Sequence, residues 1–485
     1  MKKYCEFANA CGKGESPDPA GYGVYAPSVK KLDGGIVFMA DAGEKDALVS
    51  FGRDFGLTGG HAEDGCMVAP LTHENAAVLK KLFPYAAPTR VLSRDATCGV
   101  GDRLGIAGDG LLRVFEACDV SPVLAQQSTR ELNLTGRTYA DVVDAATFAV
   151  YRTGYARGWG ADGDHLKKAE EIQNALDAGC TMITLDCSEH IHALSSSGSH
   201  AARISCAEWN ALRARYPEEL KLGEVTLHFS DETLQDARFI YGDAIAFAAS
   251  ICGEFFAGKS GRADFEISID ETETPTTPEQ HYFVAAELYR LGVRLQTLAP
   301  RFTGEFQKGV DYRGDIGRFE QELRAHCEIA RRFGYKLSIH SGSDKFSVFP
   351  LIGKYTEGRF HLKTAGTNWL EAMRIVAEKD PALYREAHAL ALQSFESASK
   401  YYHVTTNLAN IPPLSSLTDE QLPSLFDQDD SRQLIHITYG FLLASPSLKK
   451  RLYAFWRSER EAYAEALYRH IGRHIELVTG KKLSR

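Results

Sequence analysis

The stretch "HLKKAEEIQNALDAGCTMITLDC", His165–Cys187, holds both halves of the unit from which the fold is read. Leu166, Ala169, Ile172 and Leu176 recur at three- and four-residue intervals, the spacing of one helix face, and the run closes at Gly179. "TMITLDC" then turns to a short β-branched and apolar run ending in the polar Asp186, the pattern of a buried parallel strand. The same unit recurs outward in both directions. Strand candidates are "TRVLSRD" (89–95), "SPVLAQQ" (121–127), "RGWGADG" (157–163), "TMITLDC" (181–187), "ADFEISID" (263–270), "VRLQTLAP" (293–300), "KLSIHSG" (336–342) and "RFHLKTA" (359–365). Between them lie helical patterns such as "YADVVDAATFAVYRTGYA", "QHYFVAAELYRLG" and "IGRFEQELRAHCEIARRFG". Eight such units predict an α/β fold, a closed (β/α)8 TIM barrel, over residues 89–367 with an insertion near 188–225. Residues 1–88 form an N-terminal extension with its own strand, "GGIVFMAD", and residues 368–485 a mostly helical region broken by the loop "NLANIPPLSSL". The charged C-terminal helices are expected to be solvated packing helices.

Composition narrows the function class. Hydrophobic residues are 44% and charged residues 25% of the chain, ordinary globular values, and the formal charge of -9 argues against a general nucleic-acid binder. The ten cysteines contain no CxxC pair, so neither a zinc ribbon nor a disulfide framework is expected, and they read as the reduced thiols of a cytoplasmic protein. With no long apolar run, neither a secretion signal nor a membrane span is expected. A small-molecule substrate is the expected partner, and a homo-oligomer is compatible with the sequence.

In a (β/α)8 barrel the chemistry stands at the C-terminal strand ends. Those ends supply Gln127 and Arg130; Asp164 and His165; Asp186, Glu189 and His190; Glu266, Asp270 and Glu271; Arg301, Glu305 and Lys308; His340, Ser341 and Lys345; and Lys363. Period-two alternation puts Glu266, Ser268 and Asp270 on one strand face, with only Asp270 near the strand end. Asp164 taken alone reads as a helix N-cap, and Asp186, Glu189 and His190 as a second metal cluster or as the capped start of the insertion. Glu305 has Lys308 three residues on, a spacing that suits a surface ion pair. "GVGDRLGIAGDG" lacks the GKS/T ending of a phosphate loop and reads as a turn at the barrel mouth in which Asp102 pairs with Arg103.

Two resemblances give these residues roles. "SIHSGSDKF" resembles the "HGGSG" turn of class II metal-dependent aldolases, and Asp164-His165 resembles their strand-end Asp-His pair. That likeness implies His165 and His340 as metal ligands and Asp164 as a proton-transfer group. The third aldolase histidine has no counterpart in "LAPRFTGEFQKG", where Glu305 is the best oxygen ligand and Gln307 the alternative. Nearly the whole chain, through "CEFANACGKGESPDPAGYG", "SRDATCGVGDRLG", "AQQSTRELNLTGRT", "GADGDHLK", "SIDETETPT", "SIHSGSDKF" and "HLKTAGTNWLEA", resembles the tagaturonate epimerase family.

That second resemblance implies a divalent-metal-dependent interconversion of D-tagaturonate and D-fructuronate in hexuronate breakdown, with Zn, Mn, Ni or Co as the cation. Asp164 is expected as base and Glu266 as opposing acid, with Asp270, Glu271 and Asp186 as alternatives. Gln127 and Arg130 are expected on the sugar hydroxyls, and Ser341, Lys345 and Lys363 on the substrate carboxylate. A class II-type aldolase, or a ketose isomerase or 4-epimerase acting on uncharged ketohexoses, is the alternative reading.

Overall fold

A computed structural model describes residues 2–194, 205–258 and 261–484. Its centre is a closed barrel of eight parallel strands: β1 (Ala96–Gly99), β2 (Ser121–Ser128), β3 (Gly160–Leu166), β4 (Met182–Asp186), β5 (Asp264–Ile269), β6 (Thr297–Pro300), β7 (Lys336–Ile339) and β8 (Phe360–Lys363). They follow one another around the barrel in chain order, β8 closing on β1 and β4 pairing with β5. The helices between them turn their apolar faces onto this sheet; Ala169–Asp177 does so through Ile172, Ala175 and Leu176, whereas Leu166, read from the spacing as part of that face, lies in β3.

Seven of the eight strands overlap the sequence-predicted runs, β3 starting and ending three residues later than its run, and the first does not. Thr89–Asp95 pairs with no strand, and β1 begins immediately after it. Val91 and Leu92 instead pack against Val123 and Met182, at the N-terminal ends of β2 and β4. The Leu92 N–H and the Arg90 side chain both donate to the Asp264 carboxylate. An apolar run whose donors find a side-chain acceptor makes a plug for the barrel floor as readily as a strand.

The N-terminal extension is a helix, Lys2–Gly12, on a five-stranded antiparallel sheet that contains the predicted Gly35–Asp41 strand. Of the inserted segment, residues 195–204 lie outside the described residues; beyond them the chain forms a helix, Cys206–Arg213, and a two-stranded ribbon. The C-terminal helices do more than solvate a surface. Leu434, Ile435, Tyr439, Leu467 and Ile471 are buried in the main core, and the Arg460–Thr479 helix comes so close that a Cβ on Gly353 would lie 1.9 Å from the Val478 carbonyl oxygen. No helix among the described residues is long and apolar enough to cross a membrane.

Candidate active site

The C-terminal ends of the strands open into a cavity of about 710 Å³. On its wall three side chains converge: His165 from β3, Asp270 just past β5 and His340 just past β7, with one ligand atom of each within 4.8 Å of the others.

The placement of His165 depends on a backbone irregularity. Gly163 pairs with Ile183 but Leu166 with Leu185, so three steps on β3 face two on β4 and one residue is extra. His165 absorbs the difference at φ 55, in the left-handed region. A plain strand would send Asp164 and His165 to opposite faces; the bulge leaves both lining the cavity. Ser341 and Asp344 also have positive φ, 50 and 62, so three of the five described non-glycine residues with that conformation cluster at or beside this site. Asp164 caps no helix, since the N-cap of the following helix is Lys168.

Each histidine is held from behind by a carboxylate. His165 Nδ1 donates to Asp164 Oδ1 at 2.8 Å, and its Nε2 lies 3.8 Å from Asp270 Oδ1. His340 Nε2 donates to Glu266 Oε1 at 2.8 Å, and its Nδ1 lies 3.2 Å from Asp270 Oδ1. One nitrogen of each ring is thus fixed and the other turned towards Asp270, the arrangement by which carboxylates orient metal-binding imidazoles. Burial opposes protonation of both rings, yet Asp164 beside His165 and Asp270 beside His340 outweigh it and hold both above the usual histidine range. Burial likewise opposes charge on Asp270, and the two imidazoles hold it well below the usual carboxylate range. This negative potential draws protons and would equally favour a cation.

Beneath the triad the barrel interior is polar. Lys363 Nζ contacts Asp162 at 2.9 Å, Asp164 at 2.7 Å and Glu266 at 2.8 Å, and donates to Thr184. Thr184 and Thr297 also donate to Glu266, at 3.1 and 2.6 Å. Burial pushes Asp162 up to about 6 against the pull of Lys363, whereas Asp164 and Glu266, though equally buried, are held well below the usual range by Lys363 and their histidines.

The other sequence-predicted residues divide by their surroundings. Glu305 lines the cavity but sits at its rim, 3.4 Å from His403 and outside the triad; β6 ends at Pro300, and the loop after it carries Glu305 away from the strand mouth. The surface ion pair with Lys308, the alternative its spacing allowed, does not form, since Lys308 donates to Ser341. Gln307 accepts from Thr405 and Gln433. Glu266 does not line the cavity, because its oxygens are committed to Thr184, Thr297, His340 and Lys363. Lys345 is buried and donates to the carbonyls of Gln307, Val310 and Ser343, so it braces two loops. Gln127 accepts from Arg137, and its neighbour Gln126 lines the cavity instead. Asp186 caps Ser188 and lies 3.6 Å from Lys167, and His190 stacks on Phe247, so these do not form a second metal cluster. Arg103 pairs with Glu131 at 2.6 Å, whereas Asp102 accepts from the N–H groups of Leu104, Gly105 and Ala107.

Arg130, Glu271 and Ser341 do line the cavity; Arg130 lies 3.7 Å from Glu271 and over the Tyr402 ring. Tyr401, Tyr402 and His403, from the C-terminal region, close the cavity on one side. No strand-end pattern could have nominated them, because they arrive from outside the barrel repeat.

A family model described as tagaturonate epimerase matches residues 25–478. The chain is 41% identical over 473 residues to the tagaturonate/fructuronate epimerase of Thermotoga maritima, covering 95% of this chain and 98% of that protein. A crystal structure of the fructuronate-tagaturonate epimerase of Cohnella laeviribosi with one glycerol superimposes with a TM-score of 0.92 at 47% identity, covering 95% of this chain and 97% of the other. The native form of that enzyme gives 0.91 at 47% identity, covering 94% and 96%.

Proposed function

The chain belongs to the tagaturonate epimerase family and is a carbohydrate epimerase, and from that premise we propose that it interconverts D-tagaturonate and D-fructuronate by retro-aldol cleavage and reclosure at the barrel mouth. The two ketouronates differ at one carbinol carbon β to the ketone. Its C–H is not acidified by the carbonyl, so simple enolisation does not invert it. Removing the proton of its hydroxyl breaks the bond to the α carbon; the electron pair passes into the carbonyl as an enediolate, and the β carbon becomes an aldehyde. Rotation of the aldehyde, attack of the enediolate carbon on its other face and return of a proton to the new alkoxide give the epimer, with the C–H intact throughout.

The observation that carries the reading is the convergence of His165, Asp270 and His340, each imidazole backed by a carboxylate. Two imidazoles and one carboxylate fit a divalent Zn, Mn, Ni or Co ion with positions left for substrate. Such a cation supplies the Lewis acidity that stabilises the enediolate charge. Asp164 orients His165, Glu266 orients His340, and Lys363 keeps both carboxylates ionised. Proton exchange falls to the carboxylates that flank the triad on the cavity wall, Asp164 beside His165 and Glu271 beside Asp270. Glu266, buried under the triad, acts through His340 rather than on the substrate.

Chelator-treated protein should lose conversion of tagaturonate and regain it with one of these ions, and product formed in deuterium oxide should carry no carbon-bound deuterium. Full activity after metal removal, or deuterium at the α or β carbon, would overturn the metal-assisted retro-aldol route.

A further inference from the structure

A ketouronate brings a carboxylate into a cavity already rich in carboxylates: Glu131, Asp164, Asp270, Glu271, Glu273 and Glu305 all line it. Recognition of the anion therefore needs a cation that these groups have not already neutralised. Most cavity cations are committed. Lys363 is bound to three carboxylates, Arg130 lies beside Glu271, and His403 beside Glu305.

Two remain with no carboxylate in ion-pair range among the described residues, Arg301 and Lys308. Arg301 donates from one Nη to the Thr272 carbonyl, whereas Lys308 stands beside the triad through Ser341. Lys308 has only a neutral partner: its Nζ lies 3.1 Å from Ser341 Oγ, the residue after His340. Around it stand two ion pairs, Arg103 with Glu131 and Arg130 with Glu271, which leave the charge of Lys308 itself unmatched. Burial lowers its pKa, and Arg130 and Arg103 nearby lower it further, with Glu131 and Glu271 pulling the other way. Arg130 adds a buried Nε without a hydrogen-bond partner in the same corner. An ammonium desolvated in this way is a place where an anion would restore the electrostatic balance.

On the reading of this chain as a ketouronate epimerase, we propose that the Lys308 ammonium, with Ser341 Oγ beside it, anchors the substrate carboxylate and sets the preference for a ketouronate over the matching uncharged ketohexose. The placement suits the chemistry. Carbon–carbon cleavage leaves the carboxylate on the aldehyde half, the half that must turn. Lysine is a compact charge on a flexible stem and can hold a carboxylate while its fragment pivots, whereas a bidentate arginine would fix the plane.

The test compares Lys308→Met and Lys308→Arg with the unaltered holoenzyme, using D-tagaturonate and D-tagatose as substrates and calorimetric titration with D-fructuronate. Loss of a hydrogen bond to a charged group predicts that Lys308→Met loses about 100-fold in kcat/KM for tagaturonate, chiefly through KM, while tagatose turnover changes less than about threefold. Lys308→Arg should keep the preference for the anion. Lys308→Gln carries the same readout should the methionine variant not fold. An equal fall on both sugars, or unchanged fructuronate binding, overturns the assignment. The unaltered protein binding fructuronate without converting it would count against the epimerase reading alone, because the titrations still report on Lys308.

Discussion

Two Asp-His-His clusters stand a few residues apart along one loop. His340 belongs to the first, with His165 and Asp270; Asp344 belongs to the second, with His470 and His474 from the C-terminal helix. Their residue types are the same and their partners are not. In the first, one nitrogen of each ring is fixed by a carboxylate and the other faces the cavity. In the second the atoms that face one another are already bonded: His474 accepts from the Asp344 N–H at 2.9 Å and donates to the His470 carbonyl, while Asp344 binds His470 at 2.7 Å and Arg432 at 3.0 Å. Ligand-type residues in proximity make a metal site only where their inner lone pairs remain uncommitted; otherwise they make a clamp, which here ties the C-terminal helix to the loop carrying His340 and Ser341.

The largest expected effect separates the clusters outright. His340→Ala or Asp270→Ala should lower kcat/KM for tagaturonate by about a thousandfold or more, some 4 kcal/mol of transition-state stabilisation, with no rescue by added metal. His474→Ala should keep its metal content, and loss of metal from both variants alike would erase the distinction. Next come the orienting groups. Glu266→Gln and Asp164→Asn should weaken metal affinity by about 10- to 100-fold in competition titrations, while Asp344→Asn leaves it unchanged.

Stability should show the reverse order. His474→Ala strands the buried Asp344 N–H and removes a packed ring, so urea unfolding should show a loss of about 2–4 kcal/mol. A stability like that of the unaltered protein would deny the clamp. The last effect is on pH. Burial, with His470 beside it, holds His474 at about 3 when folded, against an ordinary value of 6.5. The unfolded chain therefore binds the extra proton between those values, so the contribution of His474 is fully present above pH 6.5 and is lost as pH falls towards 3, at up to about 1.4 kcal/mol per pH unit. His474→Gln, which keeps an acceptor without the titration, should flatten that slope, and an unchanged slope would place the acid sensitivity elsewhere.

The barrel was legible because burial on both faces gives most of its strands an apolar run, as in "TMITLDC" and "ADFEISID", although β3, "GADGDHL", carries little of it. The first escaped because Val91 and Leu92 read the same whether they pair in a sheet or plug its floor. His165 and His340 stand out at strand ends, and alternation already set Asp270 on the face of Glu266. The division of labour did not follow from the pattern. A bulge at His165 overrides period two, and burial commits the oxygens of Glu266 to Thr184, Thr297, His340 and Lys363. Lys345 and Lys308 are both lysines near the mouth, and only their acceptors distinguish them: three carbonyls for one, a lone hydroxyl for the other.

Diffraction from crystals grown with Mn or Zn, recorded at that metal's absorption edge, locates the cation directly. One anomalous peak per chain is expected, bounded by His165 Nε2, His340 Nδ1 and the Asp270 carboxylate. A peak at Asp344, His470 and His474, or one bound by Glu305 in place of Asp270, would contradict it.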